Sequence, residues 1–145
     1  MNVTASKNPK KRPDITPSKE NDRKLAKILW LLVEEYKLTN DELSLLLDVK
    51  LRTIQDARGK KSLPNSSYDR YRRVGLMLGI KKNLEILYPK NPEVCKNWLR
   101  VEREVFKGRS AIEMIMENPV ESMARLFTVR RLLDMQRNGT IEALI

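Results

Sequence analysis

The chain contains no histidine and a single cysteine, Cys95. Without histidine, imidazole acid–base chemistry, Ser–His and Cys–His nucleophile pairs and histidine-ligated zinc are excluded. One thiol cannot close an internal disulfide or build a four-cysteine metal site. Phenylalanine occurs twice and glycine five times, whereas Leu, Lys, Arg, Glu and Met are plentiful, a balance that favours helix over strand. No apolar run approaches the ~20 residues a membrane span needs; the longest stretches are Ile28 to Val33 and, interrupted by Ser44, Leu43 to Leu47. The basic N-terminus is followed by no apolar segment, so a secretory signal is not expected. A reduced, cytoplasmic protein with no membrane partner is the expectation.

What the chain has in excess is positive charge, +10 overall, and it is unevenly placed. Residues 1–90 carry 20 Lys/Arg against 11 Asp/Glu, a net +9, whereas residues 91–145 carry 9 against 8, a net +1. A scattered excess only solvates a surface; an excess confined to one part suggests that this part meets a polyanion while the rest does something else.

Residues 1–17 form a leader rich in Lys, Asn and Pro, with Pro9, Pro13 and Pro17 opposing helix. It reads either as a floppy end or as a basic arm adding phosphate contacts. Ser18 is placed to cap a first helix, whose stripe of Leu25, Ile28, Leu29, Leu32, Val33 and Tyr36 recurs at steps of three and four to about Lys37.

Thr39-Asn40-Asp41-Glu42 then spells a capping box opening a short helix with Leu43, Leu46 and Leu47 inward. Asp48-Val49-Lys50 breaks it, and a second short helix runs from Leu51 to Arg58. Gly59 stands where a left-handed cap is wanted, and Pro64 prevents continuation. Two short helices about a tight turn, with Leu43, Val49 and Ile54 as inward wedges, predict a helix-turn-helix. Its second helix would turn Arg52, Thr53, Gln55 and Arg58 outward, flanked by Lys50, Lys60 and Lys61. Guanidinium forks and amides suit base edges and lysines suit phosphates. A plain helical corner would share the spacing; the charge split favours the DNA-binding reading.

Ser66 or Ser67 caps a long helix from Tyr68 to Tyr88, with Met77, Ile80, Leu84 and Leu87 on one face. Gly75 and Gly79 within it either permit close packing or weaken it. Asn91-Pro92-Glu93 reads as the next helix start. Trp30 and Trp98 are expected as core anchors. Ser110 with Glu113 makes a second capping box, and Asn118-Pro119 opens a last helix in which Glu121 would complete a third. Met123, Leu126, Phe127 and Leu133 mark its buried side, and Asn138-Gly139 ends it. The tail 140–145 is strongly apolar. The expected fold is all-α, with about seven helices.

The order of these features resembles a known family. Thr39-x-x-Glu42-Leu43, Leu47-x-Val49, Thr53-Ile54 and Arg58-Gly59 to Pro64 resemble the Xre (Cro/repressor-like) helix-turn-helix. Gly79-Ile80, Leu84 to Pro89, Trp98-Leu99, Phe106 to Ser110, Arg130-Arg131-Leu132-Leu133 and Gly139 resemble the toxin-binding part of Xre/MbcA/ParS antitoxins. Departures are Asp48 for the usual turn glycine, Ala57 for a common tryptophan, and Ala111 for the proline that often follows Arg-Ser.

The resemblance implies an antitoxin of a type II toxin–antitoxin system. It would homodimerise, bind its own operator DNA, and occlude a RES-type toxin that consumes NAD⁺ or transfers ADP-ribose. It divides the chain into a leader (1–17), a helix-turn-helix and dimerisation region (18–90) and a toxin-binding domain (91–145). DNA contacts are expected from Lys50, Arg52, Thr53, Gln55, Arg58, Lys60 and Lys61. Toxin contacts are expected from Arg109, Arg130, Arg131, Arg137, Ile141, Leu144 and Ile145, the tail residues alternatively folding back on the core or across a dimer. The rival readings are a stand-alone helix-turn-helix repressor and an enzyme. The second is disfavoured because Ser110 has no base beside it and the sequence has no glycine-rich loop or metal-ligand cluster. No cofactor is expected.

Overall fold

The computed structural model describes residues 15–141; Leu144, Ile145 and most of the leader lie outside them. The described residues are all-α, in seven helices: α1 (Lys19–Tyr36), α2 (Asn40–Leu47), α3 (Leu51–Lys60), α4 (Tyr68–Leu87), α5 (Pro92–Asn97), α6 (Ala111–Met116) and α7 (Ser122–Arg137). Short 3-10 turns at Trp98–Arg100, Glu104–Phe106 and Pro119–Glu121 join the later ones.

The three long helices run side by side in the same direction. Asp22 accepts from the Tyr71 hydroxyl near the start of α1 and α4, and Glu35 accepts from the Lys81 ammonium towards their ends. Arg73 donates to Ser122 near the start of α7, and Asn83 donates to Asp134 further along both helices. Helix α4 is the middle member. Parallel neighbours need a crossover, so α2–α3 is the return path from α1 to α4, and α5–α6 the path from α4 to α7. Arg130 crosses over Gly79, where a Cβ would lie 2.5 Å from its Nε. Gly79 therefore leaves room for the Arg130 side chain to lie across α4, whereas a Cβ on Gly75 would meet nothing.

One apolar core runs through all the long helices, from Leu29 and Trp30 of α1 through Leu43, Ile54 and Leu84 to Trp98, Ile115 and Leu133. Trp98 is 1 % exposed. It meets Phe106 edge-on at 6.3 Å, with the Arg103 guanidinium stacked 4.3 Å from its ring centroid.

Local chemistry explains the boundaries. Ser18 and Ser67 accept from the amides of Asn21 and Arg70, and Ser66 turns to Asp22 instead. Both capping boxes form, Thr39 with Glu42 and Ser110 with Glu113. The third does not: Asn118 caps Val120 in a 3-10 turn, and Glu121 reaches forward to Arg125. Asn91 makes no side-chain cap, leaving Pro92 to start α5. Helix α3 continues through Gly59, and Lys61 takes the left-handed position (φ 54°), with the Ser62 amide bonded back to the Ala57 carbonyl. Phe127, expected inside, is 56 % exposed, and the side of α7 that packs is Leu126, Val129 and Leu133.

Candidate nucleic-acid interface and C-terminal surface

Asp48 holds the turn between α2 and α3 in the left-handed conformation (φ 53°, ψ 56°). A short polar side chain tolerates that region better than most L-residues do, so the turn closes without glycine. The Ser44 hydroxyl donates to the Val49 carbonyl at 2.6 Å, and the Val49 amide donates back to the Ser44 carbonyl at 3.0 Å. Leu43, Val49 and Ile54 are buried beneath this corner as expected.

Lys50, just before α3, and Arg52, Gln55 and Lys60 on it are exposed, and Thr53 is half-buried. Lys50, Arg52 and Lys60 make no ion pair among the described residues, so their charges are open to an outside partner. Helix α3 has no acid in its first turn and no side-chain cap, which leaves its N-terminal amides free to attract an anion. Gly59 sits on the same exposed side; its φ is not positive and a Cβ there would touch nothing.

Arg58 does not project from this surface. Its Nε donates to Asn40 Oδ1 at 2.7 Å and its terminal nitrogen to the Leu38 carbonyl at 3.1 Å. Its guanidinium lies 5.4 Å from the Trp30 ring centroid, with the Lys61 ammonium at 5.2 Å. Ala57 is small and buried, and the indole against the end of α3 comes from α1: Trp30 Nε1 donates to the Ser62 carbonyl at 2.8 Å. Periodicity put Arg58 outward because it cannot register the carbonyls that the α1–α2 joint leaves beside it.

Two arginines that no sequence motif singles out tie the helix-turn-helix to the rest. Arg100, beyond α5, donates to both Glu42 carboxylate oxygens at 2.8 Å and to the Tyr36 and Lys37 carbonyls at 3.0 Å. Burial pushes the Glu42 carboxyl up, but the Arg100 guanidinium and the Thr39 amide outweigh it and hold the group below the usual carboxylate range. Arg73, 5 % exposed, bonds Asp69 on its own helix, the Leu46 carbonyl of α2 and Ser122 of α7. No sequence signal distinguishes either from a solvated surface arginine.

The residues assigned to toxin contact are scattered in environment. Arg109 is held by Glu117 and by the Phe106 carbonyl, in a loop that the Arg103–Arg109 bridge and positive-φ Lys107 and Gly108 fold back on itself. Arg130 lies over Gly79 with Asp134 at 4.0 Å. Arg131 and Arg137 are exposed and make no ion pair among the described residues. Gly139 (φ 75°) closes α7, and Ile141 packs against the core. No helix among the described residues is long and apolar enough to cross a membrane.

No protein-family model matches the chain, and no curated protein matches it in sequence.

Proposed function

We propose that the protein is a DNA-binding antitoxin. In this reading the α2–α3 corner binds operator DNA as a homodimer, and residues of the C-terminal part capture a RES-type toxin that consumes NAD⁺ or transfers ADP-ribose. The observation that carries the DNA half is the surface of α3. Lys50, Arg52, Gln55 and Lys60 stand exposed beside an uncapped helix N-terminus, with no acid among the described residues paired to the cations. Arg52 and Gln55 read base edges in the major groove, and Lys50 and Lys60 meet phosphates. Exposed Arg131 and Arg137 support the toxin half, since free guanidiniums suit the rim of a site that handles a phosphate-bearing substrate. The protein acts by binding and not by catalysis.

A stand-alone repressor is the second reading. It is favoured by the internal engagement of Arg109 with Glu117 and of Ile141 with the core, which withdraws two of the residues assigned to a toxin.

Co-expression with the product of the adjacent reading frame, affinity purification, and titration of DNA from the upstream region test both. Arg52→Ala should weaken specific DNA binding by about 1–3 kcal/mol while leaving protein capture unchanged. Specific DNA binding without capture selects the repressor; no specific DNA binding by the wild type refutes both.

A further inference from the structure

Beside the end of α3 lies an open hollow of about 680 Å³, walled by the first half of α1 and the Lys60–Leu63 turn. Its lining holds five cations, Arg23, Lys24, Lys27, Lys60 and Lys61, against two acids, Glu20 and Asp22. Both acids are already engaged. Glu20 pairs with Lys24 at 3.4 Å, and Asp22 accepts from the Tyr71 and Ser66 hydroxyls at 2.6 and 2.7 Å. Arg23, Lys27 and Lys60 have no acid partner among the described residues, and Lys61 rests on the Trp30 ring. Five cations against two carboxylates leave the hollow a formal net charge of +3, and an excess of one sign gathered on a concave surface attracts a polyanion.

We infer that this hollow is a second nucleic-acid contact, in which Arg23 and Lys27 of α1 join Lys60 and Lys61 in gripping the phosphate backbone of a DNA strand. The inference rests on the DNA-binding reading and extends it to a helix outside the helix-turn-helix. Continuity favours DNA over an acidic protein segment: Lys60 and Lys61 belong at once to the hollow and to the end of the helix that presents Arg52 and Gln55. A phosphate track here carries no sequence information. It orients the protein on the duplex and adds affinity of equal size for every sequence.

The side chains of Arg23 and Lys27 project from the exposed side of α1 and make no hydrogen bond or ion pair among the described residues, so Arg23→Gln with Lys27→Gln preserves the fold. Full-length wild type, this double variant and Lys50→Gln/Arg52→Gln are titrated with a random-sequence duplex of about two helical turns at several salt concentrations. Each phosphate that is no longer neutralised flattens the log–log salt dependence by about 0.9. The α1 double variant should therefore flatten it by about 1.8 for each protomer bound to the duplex, with an equal loss of affinity on upstream-region DNA. A slope unchanged from wild type overturns the inference; if the α3 variant still flattens the slope, the DNA-binding reading stands. A wild type that binds no duplex overturns both. Displacement of the duplex by poly-glutamate with no change of salt slope in the α1 variant places an acidic protein segment in the hollow and also overturns the inference.

Discussion

Replacing Arg100 with Ala removes a side chain that joins the α1–α2 joint to the segment after α5 through hydrogen bonds to Glu42, Tyr36 and Lys37 together. Hydrogen bonds to a charged partner contribute about 1.5–3 kcal/mol, and breaking a fully buried ion pair costs about 3–5 kcal/mol. The Arg100 side chain is 37 % exposed, so solvent screening lowers the figure, while Glu42 at 8 % exposure is left with a poorly solvated charge. The expected loss is about 2–3 kcal/mol at neutral pH, or a fall in Tm on the order of 7–10 °C for a chain of this size. The loss should depend on pH with a definite sign. Glu42 titrates lower in the folded chain than in the unfolded one. Its contribution is therefore fully present above the ordinary carboxylate range and disappears as pH falls through the depressed folded value. Without Arg100 the folded value rises, so the difference between wild type and variant shrinks on acidification. Urea unfolding followed by circular dichroism from about pH 7 down to about pH 3 reads this directly. Arg100→Lys, which keeps the charge and loses the planar fork, should fall between the two. A variant within about 0.5 kcal/mol of wild type at neutral pH, or a deficit that does not narrow in acid, refutes the reasoning.

Arg73→Met should destabilise by about 3 kcal/mol, because the Leu46 carbonyl and Ser122 hydroxyl lose their buried donor; chemical denaturation checks it. Gly59→Ala should raise stability by about 0.5–1 kcal/mol, since neither φ nor packing requires glycine there, yet weaken DNA binding if a duplex approaches α3 closely; paired melting and DNA titrations separate the effects. Lys37→Gly, at φ 52°, should stabilise by about 1 kcal/mol and Asp48→Gly by less, because Asp tolerates the left-handed region; a Tm that falls for Lys37→Gly contradicts the account.

Much of the architecture was legible because its signals are local. A capping box needs residues three apart, and Thr39/Glu42 and Ser110/Glu113 both formed. Amphipathic period found the stripe of α1 and the wedges of the helix-turn-helix. The failures share one cause, partners that spacing does not specify. Gly59 reads as a cap until the longer α3 moves the left-handed residue to Lys61. Glu121 completes a box on paper but meets Arg125 instead. At the candidate site, the exposure of Lys50, Arg52 and Gln55 followed from helical phase, whereas Arg58 turned to Asn40 and Leu38, 18 and 20 residues earlier in the chain. Arg23 and Lys27 lie far enough from α3 in sequence that no spacing rule associates them with it.

The shared direction of α1, α4 and α7 has a geographic consequence. Ser18 caps one pole of the body and Gly139 leaves α7 at the other, separated along the helix axes by ~25 Å at 1.5 Å per residue. The basic hollow adjoins the first pole, beside Lys24 and Lys61. Gln136, close to the second, meets the Tyr88 hydroxyl at 3.4 Å. Whatever is grafted upstream of Ser18 is thus delivered to the cationic end, and whatever is grafted beyond Gly139 to the far end. A circular permutant joining these two points would need a linker of at least ~8 extended residues to travel the length of the molecule.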